Sequence, residues 1–258
     1  MPIPNAYRET LYTKHDRFAG EAAWQSFAEH ACAHRVLPDG RCDIILRFAS
    51  DGTKPIGAIT PLITGAATRF HIVPIAAGTG YVGARLRPGT AAAVLGIDLR
   101  AIANRILVGD AAIQALPALK SVCTAASSVD QLTDRLASFV ERRCDPSLPD
   151  SLSAGLIDTM HLTGGRMPIL DIASLHGLDV RSVRRRMMGA TGLGPKQMAM
   201  VIQFQRALRL RFLAGLDAAS TAFEAGYADQ AHMSRVFRQM GGVSPARLPD
   251  LVLVGLPI

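Results

Sequence analysis

Short apolar runs stopped by Gly and Pro set the pattern of the first hundred residues. Residues 42–48 (Cys-Asp-Ile-Ile-Leu-Arg-Phe) follow a turn at Pro38-Asp39-Gly40, and residues 70–75 and 81–87 make two further runs before Pro88-Gly89. Runs of this length between turn residues predict β-strands. Residues 21–33 differ: Ala22, Trp24, Phe27, Ala28 and Ala31 partly follow helical spacing, which predicts a short helix.

Beyond Gly96 the apolar spacing becomes helical. Residues 98–108, 111–116 and 129–143 read as helices, and in the last of these Leu132, Leu136, Phe139 and Val140 make one apolar face. Ser128 or Asp130 can cap it. Residues 145–150 carry two prolines and read as a linker. From Ser151 onward every segment reads as helix. Residues 152–162 form one helix, and a second runs from Met167-Pro168 to His176. Gly177 then supplies a left-handed turn, and Asp179 caps a helix over 180–190. After a break at 192–195 comes a longer helix, 196–213, with Met200, Phe204, Ala207, Leu208 and Phe212 on one face. A short helix at 220–225, a turn at Gly226, a helix capped by Asp229 and a closing helical turn at 245–251 complete the chain.

This helical segment repeats itself at an interval of 50 residues. Asp179 matches Asp229, Val183 matches Met233, Arg185 matches Arg235, Met187 matches Phe237, Gly192 matches Gly242 and Pro195 matches Pro245. Each copy has what a helix-turn-helix needs: a small residue on the first helix, a permissive turn, and a second helix with one apolar and one polar face. In copy one these are Ala173, Gly177 and the buried pair Val183 and Met187, with Arg181, Arg184 and Arg185 outward. In copy two they are Ala222, Gly226 and the pair Met233 and Phe237, with Gln230, Ala231, Ser234 and Arg235 outward. Arg186 is turned away from the outward set by helical geometry. His232 could contact DNA, or it could cap or pack at the helix start.

Charge sharpens this picture. The chain has 258 residues, a formal net charge of +7 and 49% hydrophobic residues, enough for a sizeable core in one or two domains. Residues 151–258 hold 12 Lys/Arg against 7 Asp/Glu, and Lys196 is their only lysine. Arginine suits bidentate contacts to phosphate and guanine. Cys32, Cys42, Cys123 and Cys144 contain no CxxC pair and read as free thiols of a reduced, cytoplasmic protein. Neither a signal peptide nor a membrane span is expected.

Residues 151–249 resemble the AraC/XylS family of bacterial transcription regulators. The strings that carry the resemblance are Ile172-Ala173, Gly177-Leu178, Leu193-Gly194-Pro195 and above all residues 225–238 (Ala-Gly-Tyr-Ala-Asp-Gln-Ala-His-Met-Ser-Arg-Val-Phe-Arg), with Gly242-Val243-Ser244-Pro245. The resemblance implies seven helices, with two helix-turn-helix units joined by a long helix. By position it places Arg181, Ser182, Arg184 and Arg185 of the first unit on DNA. In the second unit it places Gln230, Ala231, His232, Ser234 and Arg235 there. The chain departs from the family pattern at Gln203, where Arg is usual, at Thr221, at Pro249 and at Gly189, which weakens its helix by ~1 kcal/mol relative to Ala.

Residues 35–45 and 82–96 resemble the sensor halves of one branch of these regulators, which implies a small cupin-like β fold. The expected fold class is therefore α+β. A β-rich cupin-like domain with helices over 1–148 (β-rich to about 97, helical over 98–144) serves sensing or dimerisation. An all-α DNA-binding domain over 149–258 follows. Double-stranded DNA is the expected partner, with a small-molecule effector, RNA polymerase and a second copy of the chain as further candidates. His71 lacks the His-x-His, Glu and His partners of a metal cupin, and His15, His30 and His34 read as structural or surface residues. No metal, cofactor or catalytic residue is expected. The rival reading is an enzyme, such as a DNA-alkylation-response methyl acceptor, fused to the same DNA-binding module. It calls for a clustered cysteine zinc site that the cysteine spacing does not resemble. A second rival is an interaction protein that has lost DNA binding.

Overall fold

A computed structural model describes residues 6–11, 20–50, 56–143 and 151–246. Eight strands come from the N-terminal half: β1 (Ala6–Leu11), β2 (Gly20–Ala28), β3 (Cys32–Val36), β4 (Cys42–Ala49), β5 (Thr60–Thr64), β6 (His71–Ile75), β7 (Thr79–Leu86) and β8 (Ile106–Val108). Six of them form one antiparallel sheet in the order β1-β2-β7-β4-β5-β8, and β3 pairs with β6 in a second sheet.

Period-two alternation gives the large sheet two unlike faces. Ile44, Leu46 and Phe48 of β4, Ile63 of β5 and Val82, Ala84 and Leu86 of β7 are buried in the hydrophobic core. Asp43 and Ile45 of β4, Leu62 and Thr64 of β5 and Tyr81 and Arg85 of β7 instead line a cavity between the two sheets. Gly83 also lies on that face, and a Cβ there would stand 2.1 Å from the Trp24 indole. The missing side chain is what lets the indole cross β7.

The core face is covered by helices. These are α1 (Ala91–Leu95), α2 (Leu99–Ile102), α3 (Asp110–Ala115) and α4 (Val129–Arg143), with a 3-10 turn at Pro117–Ser121. The α4 helix packs across β7 and β2 through Leu132, Leu136, Phe139 and Val140, as its spacing predicts. The Ser128 hydroxyl caps it by accepting from the Gln131 amide at 3.1 Å.

Two expectations fail here. Residues 21–33 are not a helix but β2, a turn and the start of β3. The β2 strand pairs with β1 on one side and β7 on the other, and this two-sided pairing overrides the helical propensity of its alanines. Residues 98–108 are helical only over Leu99–Ile102. Asn104 then takes a left-handed conformation (φ 58°), and Ile106–Val108 joins the sheet beside β5. The Asn104 side-chain oxygen accepts from the Thr68 amide at 2.7 Å, which fixes the reversal.

Among the described residues from Ser151 onward the regular elements are all helices: α5 (Ser151–Leu162), α6 (Ile169–Leu175), α7 (Val180–Thr191), α8 (Pro195–Leu208), α9 (Ala218–Ala225) and α10 (Gln230–Val236). Single π-helical turns at Arg209–Leu213 and Phe237–Gly241 extend α8 and α10. Gly189 lies on the exposed side of α7, which continues past it to Thr191. The linker expected at 145–150, the domain boundary at 148/149 and most of the helical turn expected at 245–251 lie outside the described residues. The fold class is α+β, as expected. One contiguous cluster of buried apolar side chains runs from the large sheet through α1, α2 and α4 into α7, α8 and α10.

Candidate nucleic-acid interface and inter-sheet cavity

The two copies of the repeat fold alike. Helix α6 ends at Gly177 (φ 64°) and α9 at Gly226 (φ 80°), a backbone region that favours glycine. The amides of Leu178 and Tyr227 then bond back to Ala173 and Ala222, each at 2.8 Å. Asp179 caps α7 by accepting from the Ser182 amide at 2.7 Å, and that amide holds its carboxyl below the ordinary range. Asp229 caps α10 by accepting from the His232 amide at 2.5 Å. Each such cap satisfies an amide that the first turn of its helix would otherwise leave without a partner. Val183 and Met187 in the first unit, and Met233 and Phe237 in the second, are fully buried. Gly192 and Gly242 end the two units in left-handed conformations at φ 76° and 63°.

With the apolar faces buried, the polar faces stand outward. Arg181, Arg184, Arg185, Gln230, Ala231 and Arg235 are exposed, while Ser182, His232 and Ser234 are half-buried. Ser182 is tied to its cap, its hydroxyl donating to Asp179 Oδ2 at 3.1 Å. His232 packs edge-on against Tyr227, with ring centroids 5.4 Å apart. Arg186 is half-buried and apart from the exposed arginines of α7.

Helix α8 joins the units, and Gln203 on it fills the position where Arg was expected. Its amide nitrogen donates to the carbonyls of Ala225 (3.1 Å) and Gly226 (2.8 Å), so it holds the turn of the second unit. Thr221, the other departure, is fully buried and donates to the Asp217 carbonyl at 2.6 Å. Pro249 lies outside the described residues.

Residues 172–249 match a family model described as a helix-turn-helix domain. They form an AraC-type helix-turn-helix domain. Residues 21–107 match a domain of unknown function (DUF6597). No curated protein matches the chain significantly in sequence. Among solved structures, one of ToxT from Vibrio cholerae aligns over 93% of this chain and 96% of its own, at 10% identity and a TM-score of 0.45. A second, of ToxT with bound unsaturated fatty acid, covers 95% of each chain at 13% identity and a TM-score of 0.43. The matched segment begins inside α6 and runs through α10, and the β-rich half packs directly on it.

Between the two sheets lies a cavity of about 210 Å³. Its buried charges are brought together only by the fold. Arg41 forms a two-pronged ion pair with Glu21 and also donates to the Asp39 carbonyl at 3.0 Å. Arg85 Nε stands 3.6 Å from Asp39 and 3.7 Å from Asp43. Trp24 Nε1 donates to Asp43 at 3.3 Å. The available signal was a charged residue inside two of the apolar strand runs, Asp43 in one and Arg85 in the other. His34 and His71 both line the cavity, and burial lowers both imidazole pKa values. Cys32, Cys42 and Cys123 are free thiols, and Cys144 and His15 lie outside the described residues. Among the described residues no helix is long and apolar enough to cross a membrane.

Burial pushes the Asp43 carboxyl up to about 6, against the opposing pull of Arg85. Folding therefore takes up a proton at Asp43. The stability gained from that proton is complete below the ordinary value of 3.8 and is lost as pH rises through about 6. Trp24 is the only tryptophan of the chain, so its emission reports this titration directly. A step in Trp24 emission near pH 6 is expected, absent in Asp43→Asn. A single step near pH 4 in the parent protein would show an unshifted carboxyl.

Proposed function

We propose that this chain is a sequence-specific DNA-binding transcription regulator whose β-rich half takes a small-molecule effector. The observation that carries the reading is the repeated reading face. Two helices capped by Asp179 and Asp229 bury their apolar sides and leave Arg181, Arg184 and Arg185, and Arg235, outward. Phosphate contacts from such arginines set register, and side chains near a helix start read base edges in the major groove. Two such helices on one side of DNA enter successive major grooves, about one turn (~34 Å) apart. Residues 1–148 act as the sensor and residues 149–258 as the DNA-binding domain. The inter-sheet cavity supports the sensor role, because pockets of this kind are where small ligands bind.

The test is selection of bound fragments from genomic DNA of the source organism, followed by binding titrations at rising salt. A recurring sequence among the fragments and a steep loss of affinity with salt are expected. Fragments without a shared sequence, or binding indifferent to salt, would remove the reading. The same result would favour an interaction module that has lost DNA binding.

A further inference from the structure

The charges around the cavity cancel. Arg35, Arg41 and Arg85 line it with Asp39 and Asp43. Arg41 is paired with Glu21 behind it, Arg85 stands beside both aspartates, and Arg35 turns to Phe70 and the Gly241 carbonyl, so that three cations stand against three carboxylates. A ligand with a net charge would bury that charge uncompensated, or would strip a partner from one of these pairs, and either is costly. A neutral ligand meets neither cost. The rest of the lining offers apolar surface from Ile45, Leu62 and Val73 and hydrogen-bonding groups from Ser26, Thr64 and Tyr81. Size narrows the class further. An apolar cavity of about 150 Å³ holds benzene, so 210 Å³ accommodates a substituted single ring.

One wall of this cavity is also the seat of the second helix-turn-helix unit. Arg35, Val36, Leu37, Asp39 and Arg41 all line it. The same segment docks on the helical half at three points. Arg35 stacks on Phe70 and donates to the Gly241 carbonyl at 3.1 Å, at the end of the second unit's reading helix. The Pro38 carbonyl accepts from the buried Gln205 amide of α8 at 2.6 Å. Gly40 lies against Met198 of α8, where a Cβ would stand 2.9 Å from the sulfur. Two residues before Gln205, Gln203 holds the turn of the second unit. The cavity wall thus meets the far end of the second unit directly at Gly241, and reaches the turn before α10 through helix α8. The first unit is held elsewhere, by α1 and α2 against α7.

We infer that the cavity takes a neutral, single-ring ligand and that its occupancy is transmitted through residues 35–41 to the second helix-turn-helix unit rather than the first. This rests on the reading of the chain as a ligand-responsive DNA-binding regulator, but its test needs no DNA.

Full-length protein is titrated with benzyl alcohol, benzoate and benzylammonium, three rings differing in charge, while Trp24 emission is read. A saturable shift with benzyl alcohol alone is expected, and Ile45→Phe, which fills the cavity, is expected to lose it. A saturable shift with either ion, no shift with any of the three, or an undiminished shift in Ile45→Phe overturns the ligand class. Amide hydrogen exchange is then followed with and without benzyl alcohol. Changed protection at residues 35–41 and 226–242, with none over 180–191, is expected. Gln205→Leu is expected to reduce the change at 226–242 while keeping the Trp24 shift. An equal change over 180–191, no change at 226–242, or an undiminished change there in Gln205→Leu overturns the route. Failure of these tests alongside sequence-specific, salt-dependent DNA binding removes the inference and leaves the regulator reading standing. Loss of DNA binding with these tests passed does the reverse.

Discussion

Phe237→Ala is expected to cost about 3–5 kcal/mol of stability, the range for truncating a fully buried aromatic ring. The ring has no exposed surface and meets Phe204 of α8 edge-on, with centroids 5.2 Å apart and planes at 71°. Such a pair adds ~0.5–1.5 kcal/mol beyond the area it buries. Neighbouring groups have little room to close the gap. Gly241 already stands where a Cβ would be 3.0 Å from the Phe204 ring, and its carbonyl is held by Arg35. Against a typical total of ~5–15 kcal/mol, the loss removes a large share of the folding free energy. Phe223→Ala is the control. That ring on α9 is 79% exposed, and its removal is expected to stay within about 0.5 kcal/mol. Urea unfolding followed by circular dichroism separates the two. A cost below about 1 kcal/mol for Phe237→Ala would mean that the site collapses around the gap, against the packing described.

How far the sequence told this in advance depended on the range of the interactions involved. The helices of the C-terminal half were legible because their signals are local. A cap at Asp179 or Asp229, a glycine at 177 or 226 and an apolar stripe all lie within a few residues of what they determine. The strand at Cys42–Ala49 was legible for the same reason, as a short apolar run with turn residues before it. Residues 20–28 misled because Ala22, Trp24 and Ala28 fit a helix loosely, while the partners that make them a strand lie in β1 and β7, the latter some sixty residues away. Ile106–Val108 failed similarly, since its pairing with β5 is non-local. The outward face of the repeat could be placed from spacing alone. The cavity could not, because Glu21 and Arg85 lie far along the chain from Arg41 and Asp43 and meet them only when the sheet forms. The role of Gln203 was hidden too, since the carbonyls it binds belong to a turn 22 and 23 residues further on.

Arg185→Ala and Arg235→Ala are expected to cost about 1–3 kcal/mol of DNA binding each, the worth of one bidentate base contact. The two arginines hold equivalent places, 50 residues apart, on the exposed faces of α7 and α10. Their surroundings differ. Arg185 stands with Arg181 and Arg184, whereas Arg235 stands with Gln230, Ala231 and Ser234. A repeat with unlike faces is expected to read unlike sequences, so each variant should relax preference at one base position in its own half of the operator only. Lysine separates charge from geometry. Arg185→Lys and Arg235→Lys keep the positive charge, and hence nearly the parent salt dependence, but lose the planar fork that pairs with guanine. If the arginines touch only phosphate, alanine instead weakens binding evenly across all sequences and lowers the salt slope by about one, while lysine restores both. Binding titrations on operators mutated one half at a time therefore assign each arginine to base or backbone. Parent affinity and parent specificity in both alanine variants would mean that these two faces do not read DNA.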